Sequence, residues 1–364
     1  MIAAGRFHRL LRNAKRRRVL FVVATLRTGT LAVSSMTAPR FEILGIGNAI
    51  VDQLAEVSES FLSRHDMRKG AMRLCDAATA EQLSRALPNP RETSGGSAAN
   101  TCATAASLGS RVAFLGKVAE DRLGRRFRED IRSVGVHFET SPLTRGAPTA
   151  TCIVAVTPDG QRTMSTYLGA SVAFAPEDID PALIGDSGII YLEGYLFDPP
   201  EAQAAFRRAA RLAKEAGRKI ALSLSDPFCV DRHRPLFRAF VRDSVDVLFA
   251  NEAEVCSLYE ENEFAAAAER ARREVPLAAL TRSEAGSVLI SGGETIPIAA
   301  CPTRVVDSTG AGDAYAAGFL HAYMAGRDLA LAGRLGSLAA AETIAHLGAR
   351  PGAGLGARAA SLLG

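Results

Sequence analysis

The stretch Asp307-Ser308-Thr309-Gly310-Ala311-Gly312-Asp313 joins a glycine-rich turn to a carboxylate at the start of an apolar helix. Because its two glycines carry no Cβ, successive backbone N–H groups can point at one spot. The helix predicted over residues 311–325 adds the positive end of its dipole to that spot. Such donors stabilise a transferring phosphoryl group, and Asp313 could accept a proton from the attacking hydroxyl. We interpret Asp313 as a general base, and the amides of Gly310, Ala311, Gly312 and Asp313 as an anion hole.

A second glycine-rich turn, Gly95-Gly96-Ser97-Ala98-Ala99-Asn100, opens an Ala-rich helix predicted to stop at Gly109. Two glycines would let a substrate approach the backbone closely, and Ser97 is a plausible N-cap. The amide of Asn100 supplies both donors and an acceptor, as the hydroxyl groups of a sugar require. The alternative is a tight turn into a buried helix, with Asn100 capping or solvated.

The segment from Gly45 to Asp52 is predicted to end the first strand with an amide, Asn48, and a carboxylate, Asp52, four residues apart. Asp52 could accept hydrogen bonds from two vicinal hydroxyl groups of a ribose, with Asn48 and Asn100 completing the polar face. The alternative is that Asp52 is only a turn residue at the end of the strand.

The chain after about residue 40 alternates strand-like and helical segments, which predicts a mainly parallel sheet covered on both faces. Two segments break this alternation: residues 69–74, and residues 148–167 with a Thr-Pro-Asp-Gly turn at 157–160. We expect them to form a small accessory sheet. Ligands of such folds bind beyond the carboxyl ends of the strands, where Gly95, Asn251 and Gly310 are expected.

Composition narrows the function classes. The chain has 364 residues, 48% of them hydrophobic and 23% charged, and a net charge of +4. Residues 1–40 hold nine Lys or Arg and no acid, so the rest of the chain carries −5 and gives no reason to expect a nucleic-acid partner. Six scattered cysteines without metal-ligand spacing indicate reduced thiols in a cytosolic protein.

These segments resemble the signatures of the ribokinase, or PfkB, family of carbohydrate and nucleoside kinases. The likeness covers nearly the whole chain after about residue 40 and includes Gly95 to Val136 and Asp307 to Gly318. It implies a ribokinase-like α/β fold in which the mainly parallel sheet has helices on both faces and the small β-sheet is a lid over the acceptor. It also implies ATP as the phosphoryl donor. Mg2+ would be positioned, largely through water, by Asn251 and Glu254 of the family's Asn-x-x-Glu motif, which is equally typical of a helix capping box.

The expected nucleotide loop departs from the family at one position. Where the family often has Thr-x-Gly-x-x-Gly, this chain has Thr281-Arg282-Ser283-Glu284-Ala285-Gly286. We still expect this loop to bind ATP, with a plain hairpin turn as the alternative. The residues expected on the nucleotide side are Asn251, Glu254, Thr281, Gly286, Gly310 and Gly312.

Within the family, the chain is similar to the adenosine kinase branch in particular, for example in Tyr191 to Leu196 and Leu222 to Phe228. In that branch apolar and aromatic side chains sandwich the purine. The matching positions here are Leu168, Ala170, Leu196 and Phe228. The resemblance implies phosphorylation of adenosine to AMP at its 5′-hydroxyl. A sugar kinase acting on ribose or fructose is the alternative, and a non-catalytic nucleotide-binding protein is disfavoured by the intact Asp313 turn.

We expect a kinase domain over residues 40–350, lid segments near 67–75 and 146–170, and a C-terminal tail over 351–364. Residues 1–35 are interpreted as a disordered basic extension, or as read from upstream of a start at Met36, with a transit peptide as the alternative. The expected location is the cytoplasm. The expected partners are ATP and a small acceptor, without nucleic acid or membrane, in a monomer or a homodimer formed through the lid.

Overall fold

The computed structural model describes residues 38–364, and the predicted basic extension of residues 1–35 lies outside them. Among the described residues the strands, β1 to β14 in chain order, are Phe41–Ile46, Ile50–Glu56, Met72–Leu74, Arg91–Gly95, Val112–Leu115, Val136–His137, Ala150–Val156, Arg162–Tyr167, Ser187–Glu193, Lys219–Ser223, Val247–Asn251, Leu277–Thr281, Ser287–Ser291 and Glu294–Ile298. The helices, α1 to α12, are Glu59–Arg64, Ala77–Ala86, Ser97–Ser107, Arg122–Ser133, Pro181–Gly185, Pro200–Glu215, Pro227–Ser244, Glu252–Tyr259, Phe264–Glu274, Ala311–Met324, Leu329–Ile344 and Leu355–Leu363.

The larger sheet has nine strands in the order β14-β13-β12-β11-β10-β9-β1-β5-β6. Its strands are parallel from β12 to β6, whereas β13 and β14 pair antiparallel at one edge. Alternate residues of its strands enter two separate hydrophobic cores: Ile190 and Leu192 enter one, and Ile189 and Tyr191 the other. Because successive side chains of a strand point to opposite faces, both faces carry helices. The predicted α/β architecture is confirmed.

The smaller sheet has five strands in the order β3-β8-β7-β2-β4. Strands β3, β7 and β8 lie in the segments predicted to form it, but β2 and β4 were not predicted as strands. Asp52 therefore lies in the middle of β2 rather than at the end of the first strand, which is Ile46. Ile153 and Ala155 of β7 pack with Phe61 of α1 and Leu83 of α2. The two helices thus cover one face of this sheet. On the other face Cys152 and Val154 of the central strand β7 are buried, whereas Met72 and Leu74 of β3 are exposed.

The helix ends agree with the local sequence, with one correction. Helix α3 ends at Ser107 with Leu108 as its C-cap, one residue before the predicted end, and Gly109 follows at a φ of +96°. Its N-cap, however, is Gly96, and Ser97 is the first helical residue and makes no cap hydrogen bond. Residues 351–364, expected only as a tail, contain α12, whose Leu355 is buried in the core. Among residues 38–364, no helix has the length and apolarity that crossing a bilayer requires.

The turn between β12 and β13 shows how the chain accommodates Ser283 where the family often has glycine. Ser283 has a φ of +51°, in the left-handed region that glycine occupies without strain. Ser283 therefore adopts the left-handed conformation that a glycine would adopt here, and this strain lowers the stability of the folded state.

We predict that Ser283→Gly raises the free energy of unfolding by about 0.5 to 1 kcal/mol, because it removes the backbone strain of a non-glycine residue in the left-handed conformation. Chemical denaturation of both proteins measures the change. Glu284→Gly in the same exposed turn is the matched control and should lower stability, since Glu284 has no positive φ. A destabilised Ser283→Gly would contradict the strain at this position.

Candidate active site

Asp313 lies in the first turn of α10 and is held by two side chains of α3. Ser97 Oγ donates a hydrogen bond to Asp313 Oδ1 at 2.6 Å, and Asn100 Nδ2 donates to Oδ2 at 3.4 Å. Burial raises the pKa of Asp313 to about 6, and these two hydrogen bonds act in the opposite direction. The carboxylate is ionised at neutral pH yet more basic than an exposed one. This combination suits a general base.

In the turn before α10, three of the four amides predicted to form the anion hole have no hydrogen-bond acceptor among the described residues. Gly310 has a φ of +76°, and a Cβ there would lie 2.4 Å from the carbonyl oxygen of Ala349. The first N–H groups of α10 lack carbonyl partners one turn earlier, and a Cβ at the exposed Gly312 would meet open space. Ala311 differs, because its N–H donates to Ser308 O at 3.3 Å. The anion hole itself stays a prediction.

Asp307, at the start of the same turn, is tied to the smaller sheet. Its Oδ1 accepts from Thr309 N at 3.0 Å and its Oδ2 from Gly348 N at 2.9 Å. Arg162 of β8 forms an ion pair with Asp307 Oδ2 at 2.9 Å, and both side chains are buried. Arg162 thus connects the smaller sheet to the turn before α10.

The glycine pair before α3 makes room for the chain's own side chains. A Cβ at Gly95 would lie 2.4 Å from Asp52 Oδ2. Gly96 has a φ of +102°, and a Cβ there would lie 2.1 Å from Asn48 O. The predicted reason for these glycines is close approach of a substrate to the backbone. Their structural reason is that they bring Asn48 and Asp52 against the start of α3, beside Asn100.

Glu193 is a buried carboxylate that the sequence analysis did not place in the site. It accepts hydrogen bonds from Asn48 Nδ2 at 2.6 Å, from Asn48 N at 3.3 Å and from Ala98 N at 2.8 Å. Burial raises its pKa to about 7. A Cβ at Gly47 would lie 2.3 Å from Glu193 Oε2, so this contact requires glycine there. The signal in the sequence that could have identified Glu193 is an acidic residue at the end of the otherwise apolar strand β9.

Asp52 is partly exposed and faces the same region as Asp313. Burial raises its pKa to about 6, while the positive charges of Arg350 and Arg162 oppose the shift. The charge of Asp52 in turn contributes to the raised pKa of Asp313, so the two carboxylates lie within electrostatic reach of each other. The structure thus brings Asp52, Asn100 and Asp313 together, as expected for the acceptor side.

The expected nucleotide residues also converge. Asn251 ends β11 and is the register partner of Thr281 at the end of β12. Gly286 closes the following turn with a φ of +84°, and a Cβ there would lie 2.1 Å from Ile298 O. Arg282 N donates to Gly286 O at 2.7 Å, so the loop is a tight hairpin turn, which was the stated alternative. ATP binding by this turn stays a prediction.

The residues expected to sandwich a base do not share an open surface. Ala170 and Leu196 have no exposed area, and Leu196 belongs to one of the two cores of the larger sheet. Leu168 is partly exposed, at the start of a short 3-10 turn. Phe228, in contrast, is 71% exposed. Burial therefore gives no support to base contacts by Ala170 and Leu196.

Residues 70–353 match the sequence model of the pfkB family carbohydrate kinases. The matched range includes the start of α3, the capping turn of α8 and the Asp313 turn. The chain belongs to the pfkB kinase family.

Solved structures of similar proteins agree with this assignment. Adenosine kinase from Sinorhizobium meliloti is 48% identical, with a TM-score of 0.81 over 88% of this chain and 99% of that one. A Rhizobium etli protein described as a probable sugar kinase is 44% identical, with a TM-score of 0.82 over 89% and 99%. Among characterised sequences, adenosine kinase of Saccharomyces cerevisiae is 27% identical over 86% of this chain and 96% of its own length.

This pfkB kinase is therefore a nucleoside or sugar kinase with ATP as its phosphoryl donor.

The capping turn of α8, formed by Asn251 and Glu254, fits Mg2+ only through water. Glu254 is buried, and its two carboxylate oxygens accept from Asn251 N at 2.9 Å and Asn251 Nδ2 at 2.7 Å. Burial raises the pKa of Glu254 to about 7. Within residues 38–364, no group of three or more His, Cys, Asp or Glu side chains could hold a metal ion.

We predict that Asp313→Asn lowers kcat by about 10^2- to 10^4-fold, because the variant cannot accept the proton of the acceptor hydroxyl. ADP release under saturating substrates measures kcat, and nucleotide titration should show that ATP still binds. Asp328→Asn is the control, since Asp328 caps α11 and asparagine caps equally well. Turnover of Asp313→Asn at the wild-type rate would exclude Asp313 as the base.

Proposed function

We propose that this kinase transfers the γ-phosphoryl group of ATP to the 5′-hydroxyl of a ribonucleoside, with adenosine as the preferred acceptor. Asp313 would accept the proton of the attacking hydroxyl, while Ser97 and Asn100 hold its carboxylate in place. The free N–H groups at the start of α10 would hold the transferring group. Mg2+, when bound with ATP, would neutralise phosphate charge, and Asn251 and Glu254 would contribute to its water shell.

The residues proposed to bind the ribose could serve equally well in a sugar kinase. Asn100 donates a hydrogen bond to Asp313, and the charge of Asp52 contributes to the raised pKa of Asp313. Asn48 is held by its hydrogen bond to Glu193. A free pentose could use the same polar groups. These residues therefore support a furanose ring as acceptor without distinguishing ribose from a nucleoside.

The surface next to Asp52 carries the case for a nucleoside. Strand register puts Asp52, Cys152, Thr166 and Leu74 in one row across β2, β7, β8 and β3. Cross-strand partners share a face, and this face is opposite to the one covered by α1 and α2. Leu74 is 58% exposed on it.

The neighbouring row on the same face is apolar throughout. It contains Leu54, Val154, Met164 and Met72 in register, and Met72 is 48% exposed. Arg162 lies on this face too, and its ion pair with Asp307 connects the face to the turn before α10. An apolar surface that continues from a ribose-sized polar site would be covered by a nucleobase but left in water by a free sugar.

The 48% identical adenosine kinase favours the same acceptor, whereas the 44% identical relative keeps a sugar as the second candidate. The proposed base-contacting surface thus differs from Leu168, Ala170 and Leu196. It is formed by the exposed Met72 and Leu74 of β3 together with the partly buried Met164 of β8.

The test of acceptor class is ADP release with Mg-ATP and, separately, adenosine, guanosine, inosine, ribose and fructose. We expect kcat/KM to be highest for adenosine, because only a nucleoside covers the apolar rows of the smaller sheet. Turnover restricted to ribose or fructose would replace the proposal with a sugar kinase. The Asp313→Asn protein measured in parallel shows that ADP release comes from this site.

We also predict that Leu74→Asn raises the KM for adenosine by about tenfold, since it removes most of the apolar contact that one leucine side chain can give. The KM for ATP and the kcat should change little. Leu236→Asn is a matched control, because Leu236 is 44% exposed on α7. An equal rise in the KM for ATP, or none for adenosine, would contradict a base contact by Leu74.

A further inference from the structure

Arg350 lies in the loop between α11 and α12 and reaches into the site from the opposite end of the chain. Its Nε donates a hydrogen bond to Asn100 Oδ1 at 3.1 Å. Its Nη2 donates to Ser94 Oγ at 2.8 Å and also to Ser94 O. Its Nη1 lies 3.5 Å from Asp130 Oδ2. All three guanidinium nitrogens are therefore engaged with protein groups, which leaves little capacity to bind an acceptor directly.

The contact with Asn100 determines which end of its amide faces Asp313. An arginine side chain only donates, so the amide oxygen of Asn100 must turn toward Arg350. The amide nitrogen is then directed at Asp313 Oδ2, 3.4 Å away. With the amide reversed, its oxygen would face the Asp313 carboxylate and its nitrogen would face the Arg350 donor. Both of these contacts would be repulsive.

Arg350 is itself fixed on its other side by Asp130 of α4. Asp130 Oδ2 accepts hydrogen bonds from Ser94 N at 2.8 Å and from Ser94 Oγ at 2.7 Å. Ser94 and Asp130 thus form a rigid support that does not contact Asp313. In the observed arrangement every guanidinium nitrogen has a partner, and Nε is presented to Asn100.

The charge of Arg350 acts in the same direction as the geometry. It lowers the pKa of both Asp313 and Asp52, against the effect of burial. The other ionisable groups whose pKa is coupled electrostatically to the Asp313 charge are Glu193, Glu254, Tyr191 and Tyr195. None of these four is a cation, so Arg350 is the positive charge that favours ionised Asp313 among the groups coupled to it.

We propose that Arg350 is a positioning residue for phosphoryl transfer, which fixes the Asn100 amide so that its donor end holds Asp313 Oδ2. The proposal rests on the proposed role of Asp313 as the base. It assigns a kinetic role to the loop after α11, a segment that contributes no group to the reacting atoms.

A double-mutant cycle on the full-length chain tests this role. The variants are Arg350→Met, Asn100→Leu and the double variant, with kcat measured by ADP release from Mg-ATP and adenosine. If adenosine is not an acceptor, the cycle uses the compound that supports turnover among guanosine, inosine, ribose and fructose. The choice does not affect the test, because the cycle compares ratios of rates. We expect Arg350→Met to lower kcat about tenfold in the wild-type background and less than about twofold in the Asn100→Leu background.

Two further variants separate positioning from stability. Arg358→Met is the matched control, because Arg358 is an exposed C-terminal arginine paired with Glu342 of α11. It should leave kcat unchanged. Arg350→Lys keeps the charge beside Asp130 if the methionine variant does not fold, and its loss of kcat should likewise disappear in the Asn100→Leu background. Thermal unfolding monitors all of these proteins.

Equal losses of kcat in both backgrounds would overturn the proposal, because Arg350 would then act independently of Asn100. An unchanged kcat in Arg350→Met would also overturn it, and so would loss of folding in both Arg350 variants, which would assign the residue to stability. Failure of the base assignment is detected separately, as full activity of Asp313→Asn.

Discussion

The site depends on the hydrogen bonds that Ser97 and Asn100 of α3 make to Asp313 of α10. These residues are separated by more than 200 positions, so the contact exists only when the larger sheet has brought the two helices together. Asp313 is buried enough to become a stronger base, and its two donors prevent it from being neutralised at pH 7. The remaining features of the site either hold α3 in position or shape the turn before α10.

Glycines at five positions follow from this close packing of helix starts and carboxylates. Gly95 makes room for Asp52, Gly47 makes room for Glu193, and Gly310 makes room for the backbone at Ala349. Gly96 and Gly286 would each bring a Cβ to 2.1 Å from a backbone oxygen. The glycines thus report which parts of the chain approach one another, and the ligand is only one reason for such an approach.

The sequence predicted the parts of the fold and site that are local. The parallel sheet, the Asp313 turn and the Asn251 capping box each depend on a short run of residues, and they were found. The role of Glu193 depends on three segments meeting around one carboxylate, which no single run reveals. Strand β2 was overlooked because it follows β1 after three residues, so Asp52 was attached to the wrong strand. Without β2 and β4 the surface of the smaller sheet next to Asp52 cannot be derived from the sequence, and the base contacts expected there rest on resemblance alone.

In the first of its two passages between the sheets, the chain leaves the larger sheet at residues 47–49 and returns through Gly96, directly beside the groups proposed to hold the ribose. A rotation of the smaller sheet about these crossings would barely move Asn48. It would move Leu74 most, because β3 lies three strands, about 14 Å, from β2. In such a rotation the end of the site proposed to bind the ribose would be the pivot, and the end proposed to bind the base would move furthest. Bases of different bulk would change the closing angle of the sheet while the acceptor hydroxyl keeps its distance from Asp313.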